Sequence, residues 1–197
     1  MLSVGVTGNI GSGKSTVCSI FQWIGVPIYE ADLAVKRLYS QHAGLKKALV
    51  SLLGADAYNS KGEFDTAWVR QRVFANDDLR SSLNALVHPI VFEDFANWCK
   101  EKEAENYPYI IKEAAILFES GANATVDLVI GVVAPMAVRK QRVLARDNMN
   151  EQEFERRVKA QWPQEEWMDR CDYIIQNNGE SSLIKQVMEV HHGLMNR

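Results

Sequence analysis

Residues 5–16, GVTGNIGSGKST, combine four glycines with a lysine that two hydroxyl residues follow, and they contain no acidic side chain. Residues 8–15 match the phosphate-loop pattern G-x-x-x-x-G-K-[ST]. Glycine lets the backbone wrap around a phosphate chain with its N–H groups turned inward, because a Cβ would clash or forbid the required φ. Lys14 adds a positive charge for the β- and γ-phosphates, and Ser15 offers its hydroxyl to Mg²⁺. The predicted nucleotide-binding residues are Gly8, Asn9, Ile10, Gly11, Ser12, Gly13, Lys14, Ser15 and Thr16.

One carboxylate follows the second apolar run of the chain. Asp32 comes shortly after Val26–Tyr29, at what we expect to be the carboxyl edge of a sheet, where open α/β folds bind ligands. There it can accept a proton from an attacking hydroxyl or help to hold Mg²⁺. The alternative is that Asp32 is the N-cap of a helix that starts near Leu33. One residue can serve both purposes, so its position alone leaves the two roles open.

A cluster of cationic residues lies further along the chain. Its members are Arg139, Lys140, Arg142 and Arg146, and after the acidic residues Asp147, Glu151 and Glu153 come Arg156, Arg157 and Lys159. Arginines placed over a phosphoryl group stabilise the charge that spreads across its oxygens during transfer. For most of these residues a solvated helix face with ordinary i to i+4 ion pairs is the better interpretation. Arg142 and Arg146 are one helical turn apart and are the candidates for a closing lid.

The elements that must position these residues alternate between strands and helices. Apolar β-rich runs predict strands at residues 2–7, 26–29, 107–111, 128–133 and 172–175. Helical spacing predicts helices at residues 15–23, 33–38, 45–53, 68–74, 79–87, 91–103, 138–146 and 181–194. Such alternation predicts a mainly parallel sheet covered by helices on both faces. We therefore predict a three-layer α/β P-loop NTPase fold with a five-stranded parallel sheet, a helical insertion and a lid.

The chain of 197 residues is expected to form a single domain with three subregions. The nucleotide-binding core is predicted at residues 1–40 and 107–197. A mostly helical insertion, interrupted by Gly54, Gly62 and Pro89, is predicted at about 41–106, and the lid at about 143–165.

Composition excludes several classes of function. The net charge of −3 argues against general nucleic-acid binding, and no stretch approaches the length of a membrane span. The start of the chain lacks the features of a secretory signal, so we expect a cytoplasmic protein, either a monomer or a weak homo-oligomer. His191 and His192 have no cysteine or acidic partner at ligand spacing, so we predict that both are exposed and bind no metal.

Guanine-nucleotide switches need DxxG and NKxD patterns, which do not occur here. The sequence instead resembles the dephospho-CoA kinase family, from the first strand to the last helix. The resemblance is carried by the phosphate loop, Tyr29–Asp32, His88–Pro89, Ile116–Glu119, Arg142, Arg146–Asp147, Gln161 and Cys171–Gly179. This chain departs from the family pattern at two positions. The family commonly has Asp where Glu30 stands and Pro where Ala115 stands.

The resemblance implies transfer of the γ-phosphate of ATP to the ribose 3′-hydroxyl of dephospho-CoA, with Mg²⁺, to give coenzyme A and ADP. It implies that Asp32 is the catalytic carboxylate, that Lys14 and Arg142 handle phosphate, and that the helical insertion binds the acceptor. It further implies nucleotide contacts by Arg146 and Asn177, and acceptor contacts by Asp32, His88 and Glu119. His88 could equally cap a helix or pack in the insertion. A kinase for a nucleoside monophosphate or another small metabolite, and a nucleotide-dependent binding module, are the alternatives.

Overall fold

The computed structural model describes residues 1–74, 76–147 and 149–197. Residues 75 and 148, which fall in the predicted insertion and lid, lie outside the described residues. The strands are β1 (Leu2–Thr7), β2 (Ile28–Glu30), β3 (Tyr109–Glu113), β4 (Leu128–Val133) and β5 (Tyr173–Gln176). The helices are α1 (Lys14–Trp23), α2 (Ala31–Gln41), α3 (Ala43–Leu53), α4 (Thr66–Phe74), α5 (Asp77–Ala104), α6 (Met136–Asp147), α7 (Glu151–Lys159), α8 (Gln164–Met168) and α9 (Leu183–Met195). No helix in the described part of the chain is long and apolar enough to cross a membrane.

The five strands form one sheet in the order β2-β3-β1-β4-β5, and every pair is parallel. Because the strands are parallel, their carboxyl ends lie at one edge of the sheet. At this edge β1 continues into the phosphate loop and β2 continues into α2. The predicted α/β fold with a five-stranded parallel sheet is confirmed.

Contacts divide the chain into two compact units, Met1–Glu30 with Cys99–Arg197, and Ala31–Trp98. In the first unit, apolar residues on alternate positions of the central strands pack against the buried sides of α1 and α9. The second unit has its own core, formed mainly by Leu38, Leu45, Leu49, Leu53, Val69, Val73, Leu83, Val87 and Val91. Helix α2 belongs to this second unit because Leu38 packs in its core.

The prediction of two helices on either side of Pro89 is wrong, because α5 is one helix of 28 residues with Pro89 inside it. Proline usually ends or kinks a helix, since it lacks an N–H and its ring crowds the preceding turn. Here the buried positions Leu83, Val87, Val91 and Phe95 recur every fourth residue through the proline. This continuous apolar stripe outweighs the one lost hydrogen bond.

Other expectations also differ from the structure, among them the bounds of β3, which is predicted at residues 107–111 and lies at Tyr109–Glu113. Strand β2 begins at Ile28, two residues later than predicted, because Val26 N donates to Phe21 O and so belongs to the turn that closes α1. The predicted exposure of both histidines is wrong for His191, which is partly buried and whose Nδ1 is hydrogen-bonded to Tyr109 Oη at 2.7 Å. The partner lies 82 positions away, so the local sequence gave no sign of it.

Lys112 is an unusual core residue, since it lies in β3 with a relative exposure of 1%. Its Nζ donates to Thr125 Oγ1 at 2.9 Å, and burial lowers its pKa to about 8. The folded state then binds fewer protons than the unfolded state between that pKa and the ordinary lysine value, so this group makes stability rise with pH in that window. Below this pH window the side chain is charged in the folded state too, and the folded state bears the full cost of desolvating the buried ammonium group.

We therefore expect Lys112→Met to raise the free energy of unfolding near pH 7 by about 1–2 kcal/mol, because an apolar side chain of similar length removes the desolvation cost. Thr125 Oγ1 still donates to Ala122 O, so its hydroxyl stays satisfied. Urea unfolding near pH 7 and near pH 10 should show the advantage shrinking at the higher pH. The exposed Lys100→Met is the control and should change little. A variant less stable than the wild type near pH 7 would show that contacts of the ammonium group outweigh its burial.

Candidate active site

The phosphate loop joins β1 to α1, and two of its glycines are required by their surroundings. Gly11 and Gly13 have φ of +79° and +96°, a region that side chains rarely adopt. A Cβ on Gly11 would lie 2.6 Å from Arg139 O, and one on Gly13 would lie 2.1 Å from Asn177 Nδ2. The loop is therefore packed directly against α6 and against the residue that follows β5.

The start of α1 is suited to an anion. Its first turn has no acidic residue, and Val17 N makes the first helical hydrogen bond, to Gly13 O. The amides of Ser15 and Thr16 precede this bond and can therefore donate to phosphate oxygens at the positive end of the helix dipole. Lys14 is buried, and its Nζ donates to Gly8 O at 2.8 Å, which holds the ammonium group against the loop.

Asn177 links the phosphate loop to Arg142. The side chain of Asn177 is buried, and its Nδ2 donates to Ser12 O at 2.8 Å. Its Oδ1 accepts from Arg142 Nη2 at 3.0 Å. Within the described residues, Arg142 Nη1 is buried and has no hydrogen-bond partner. The chain thus brings Arg142 and Asn177 to the loop, and both ends of the Asn177 amide are already engaged by the protein.

Gln161 and Trp162 hold the loop from another direction, and neither was among the site residues predicted from the sequence. Gln161 Oε1 accepts from Ile10 N at 2.7 Å, while Gln161 Nε2 donates to Ala115 O at 2.9 Å. Trp162 O accepts from Asn9 Nδ2 at 2.9 Å. The amide of Ile10 is therefore used by a side chain of the protein. Gln161 is one of the residues that carry the family resemblance, but a glutamine beside a charged segment gives no local signal of this particular contact.

Glu119 and Arg146 make protein contacts in this structure. Glu119 Oε1 accepts from Trp162 N at 3.0 Å, so the carboxylate positions the segment that holds the loop. Arg146 forms a two-bond ion pair with Asp147, at 2.6 and 2.9 Å, and these bonds raise the pKa of the guanidinium and lower that of the carboxyl. Arg146 is largely exposed, and such surface pairs contribute little energy. Asp147 therefore holds the guanidinium of Arg146 only weakly.

Asp32 and His88 lie in the second unit. Asp32 is exposed in the first turn of α2, which begins at Ala31, so the structure places it inside the helix and not at its N-cap. His88 is partly buried on α5, its ring stacks on Phe92 with centroids 6.1 Å apart, and burial lowers its pKa.

The cationic residues of α6 and α7 are of two kinds. Lys140 pairs with Glu151 at 2.8 Å, and Arg157 pairs with Glu153 at 3.0 Å, as expected for a solvated face. The same interpretation is wrong for Arg139, which has a relative exposure of only 5%. Its backbone lies against the phosphate loop near Gly11, and its side chain lies among residues of the loop and of the segment after α7.

A cavity of about 720 Å³ opens beside the phosphate loop. Its walls are the outer side of α1, from Ser15 to Trp23, and the segment from Asn177 to Ile184 that leads into α9. A cavity of this volume is typical of small-molecule sites. It adjoins Ser15 and Thr16, whose amides can donate to phosphate.

Comparisons with a family model, with one relative and with two solved structures show which proteins this chain resembles. A family model described as dephospho-CoA kinase matches residues 2–182. A dephospho-CoA kinase of Salinibacter ruber is 38% identical over 180 residues, which are 91% of this chain and 90% of that protein. A crystal structure of a Thermus thermophilus protein superposes with a TM-score of 0.84 at 28% identity, covering 98% of this chain and 96% of that one. A dephospho-CoA kinase from Campylobacter jejuni gives a TM-score of 0.72 at 22% identity, covering 98% and 97%, and shows the same fold.

Proposed function

The chain belongs to the dephospho-CoA kinase family, and we propose that Lys14, Arg142 and Asp32 carry out the phosphoryl transfer of that family in it. The reaction moves the γ-phosphate of ATP to the ribose 3′-hydroxyl of dephospho-CoA, which gives coenzyme A and ADP and completes coenzyme A biosynthesis. The observation that carries the choice of reaction is the family match over residues 2–182. A phosphate loop alone is common to kinases, switches and motors.

ATP binds with its phosphates in the loop of residues 8–16 and its adenosine in the neighbouring cavity of about 720 Å³. The amides of Ser15 and Thr16, together with the positive end of α1, support the phosphates. The ammonium group of Lys14, held by Gly8 O, supplies a full charge for the β- and γ-phosphates. Arg146 exchanges Asp147 for a phosphate oxygen when ATP binds.

Mg²⁺ is the cation that this class of reaction uses, and the donor set fits it. Ser15 is exposed in the first turn of α1 and offers a hydroxyl oxygen, a ligand that Mg²⁺ prefers. Within the described residues, no group of three or more His, Cys, Asp or Glu side chains could hold a metal. Ser15 would therefore hold the ion together with phosphate oxygens and water, and Asp32 can add a carboxylate oxygen. When bound, the metal neutralises charge on the phosphates.

In the transfer step the ribose 3′-oxygen bonds to the γ-phosphorus as the bond from that phosphorus to the bridging oxygen of ADP breaks. Asp32 takes the proton of the hydroxyl. Lys14 and Arg142 stabilise the charge on the phosphoryl oxygens, and Arg142 Nη1 supplies a donor that the protein leaves without a partner among the described residues. Asn177 acts through Arg142 and Ser12, since both ends of its amide are engaged.

Dephospho-CoA is the acceptor, and we assign its contacts to Asp32, His88 and Glu119. The ring of His88, stacked on Phe92, offers a flat surface on α5. Glu119 holds Trp162 through Oε1, so an acceptor hydroxyl would bind at its other oxygen. An acceptor-binding role for the helical insertion, a lid near residues 143–165, a cytoplasmic location and a monomeric or weakly associating state stay predictions.

The test is ADP production from ATP and Mg²⁺ with dephospho-CoA, beside matched reactions that contain AMP, CMP, shikimate or no acceptor. We expect ADP only with dephospho-CoA, together with one equivalent of coenzyme A. Turnover of another acceptor would assign the chain to a different metabolite kinase. Tight ADP binding without any phosphorylated acceptor would indicate a binding module.

A further inference from the structure

A second cavity, of about 550 Å³, lies beside the phosphate loop and shares no lining residue with the cavity assigned to adenosine. Its walls come from the loop, from the start of α6 and from the segment between α7 and α8. The polar lining residues include Asn9, Arg139, Lys159, Gln164 and Glu165, and Met136 and Trp162 are among the apolar ones. Apart from Asn9, which belongs to the phosphate loop, none of these residues has a part in the phosphoryl transfer described above, so no substrate is assigned to this cavity.

Arg139 is the main reason to expect a ligand. Arg139 has a relative exposure of 5%, and its Nε and Nη1 have no hydrogen-bond partner within the described residues. The remaining nitrogen, Nη2, donates only to the weak acceptor Met136 Sδ, at 3.4 Å. Burial lowers the pKa of this guanidinium, and the attraction of Glu165 offsets that in part. A buried cation with unused N–H groups is costly unless something accepts from it.

Two unused acceptors line the same cavity. Asn9 Oδ1 and Gln164 Oε1 are buried, and neither has a hydrogen-bond partner in the described part of the chain. Oxygen acceptors of this kind require an O–H or N–H donor. The cavity therefore offers N–H donors of a cation and, in addition, two amide oxygens that accept hydrogen bonds. A monatomic anion has no donor for those oxygens, so it cannot satisfy both kinds of group.

We propose that this cavity binds a small organic acid that carries one carboxylate together with a hydroxyl group. The carboxylate accepts from Arg139, and Lys159 adds a second positive charge against the single negative charge of Glu165. The hydroxyl donates to Asn9 Oδ1 or Gln164 Oε1. The apolar body of the acid packs on Trp162, Val158 and Pro135.

The four unsatisfied atoms are shielded from solvent, so a ligand must displace a side chain to reach them. Met136 is the side chain that can move, since it is 48% exposed and holds Arg139 only through the weak N–H···S bond. Rotation of Met136 frees Nη2 of Arg139, which then exchanges a thioether for a carboxylate acceptor.

The test uses mandelate, which has a carboxylate, a hydroxyl and an aromatic body. Phenylacetate lacks the hydroxyl, and mandelamide lacks the charge. Each is titrated by calorimetry into the full chain saturated with ADP and Mg²⁺, so that the phosphate loop is already occupied. We expect mandelate to bind with a Kd of about 1 mM or lower, and at least about tenfold more tightly than either analogue.

Three variants locate the site. Arg139→Met removes the cation, and Met136→Trp fills the cavity from its exposed edge; each should abolish mandelate binding. Lys140→Gln removes the neighbouring cation, which pairs with Glu151, and should leave binding unchanged. Equal binding of mandelamide, binding that survives in Arg139→Met, or no binding of mandelate at about 20 mM would each overturn the proposal. If mandelate does not bind, the cavity holds only water.

Discussion

Asp32→Asn is expected to leave ADP binding unchanged and to lower kcat with dephospho-CoA by about 10³-fold, within the range that general bases contribute. Asparagine has nearly the same shape as aspartate but cannot accept the proton of the 3′-hydroxyl. The carboxylate is exposed in the first turn of α2, so its removal should cost less than about 1 kcal/mol of stability through the helix dipole. Steady-state kinetics and calorimetry with ADP separate the two effects.

The matched control is Asp77→Asn, which removes an exposed aspartate from the first turn of another helix, α5, in the same unit. It loses a similar helix-dipole interaction without a proposed part in proton transfer, so kcat should stay near the wild-type value. If Asp32→Asn also keeps kcat within about threefold, the base assignment fails and the residue serves only the helix start. A fall in ADP affinity alone would point to the metal-ligand role.

The strands beside the phosphate loop could be predicted from the sequence, because their signals are local. β1 and β4 have the predicted bounds, since each is a short apolar run with abrupt ends. The prediction of a helix end at Pro89 was wrong because it rested on a local feature, the helix-breaking residue. The apolar stripe that keeps α5 continuous is stabilised by packing against other elements. Local propensity is a weak indicator wherever tertiary burial opposes it.

The candidate site, too, could be predicted only in part. The loop itself follows from eight consecutive residues, but the contacts that hold it in place come from residues far along the chain. Gln161 is 151 positions from Ile10, and Asn177 is 165 positions from Ser12. Arg139 lies on a helix whose charges indicate solvent, yet it is buried where α6 packs against the loop at Gly11. Such contacts depend on which elements become neighbours, which residue types and spacing do not specify.

Arg142→Met is expected to lower kcat/KM by about 10³-fold, mostly through kcat, as for arginines that stabilise a transferring phosphoryl group. Nη1 is the donor left for the phosphate, while Nη2 is held by Asn177 Oδ1. Arg142→Lys keeps the charge but lacks the planar fork, so it should recover only about tenfold of the loss. Arg156→Met, an exposed arginine of α7, is the control and should retain activity. Wild-type kcat in Arg142→Met would exclude a role in the transfer.

A double-mutant cycle with Asn177→Ala then decides how Asn177 acts. If it positions Arg142, as its two engaged amide atoms suggest, Asn177→Ala alone should lower kcat/KM by about tenfold and add little in the Arg142→Met background. If it binds the nucleotide directly, the two losses should multiply. The contact to Ser12 O is present in both backgrounds, so its loss cancels in the cycle and the coupling reports the Arg142 bond. Non-additive losses would therefore make the buried amide a positioning residue, and the guanidinium the group that meets the phosphate.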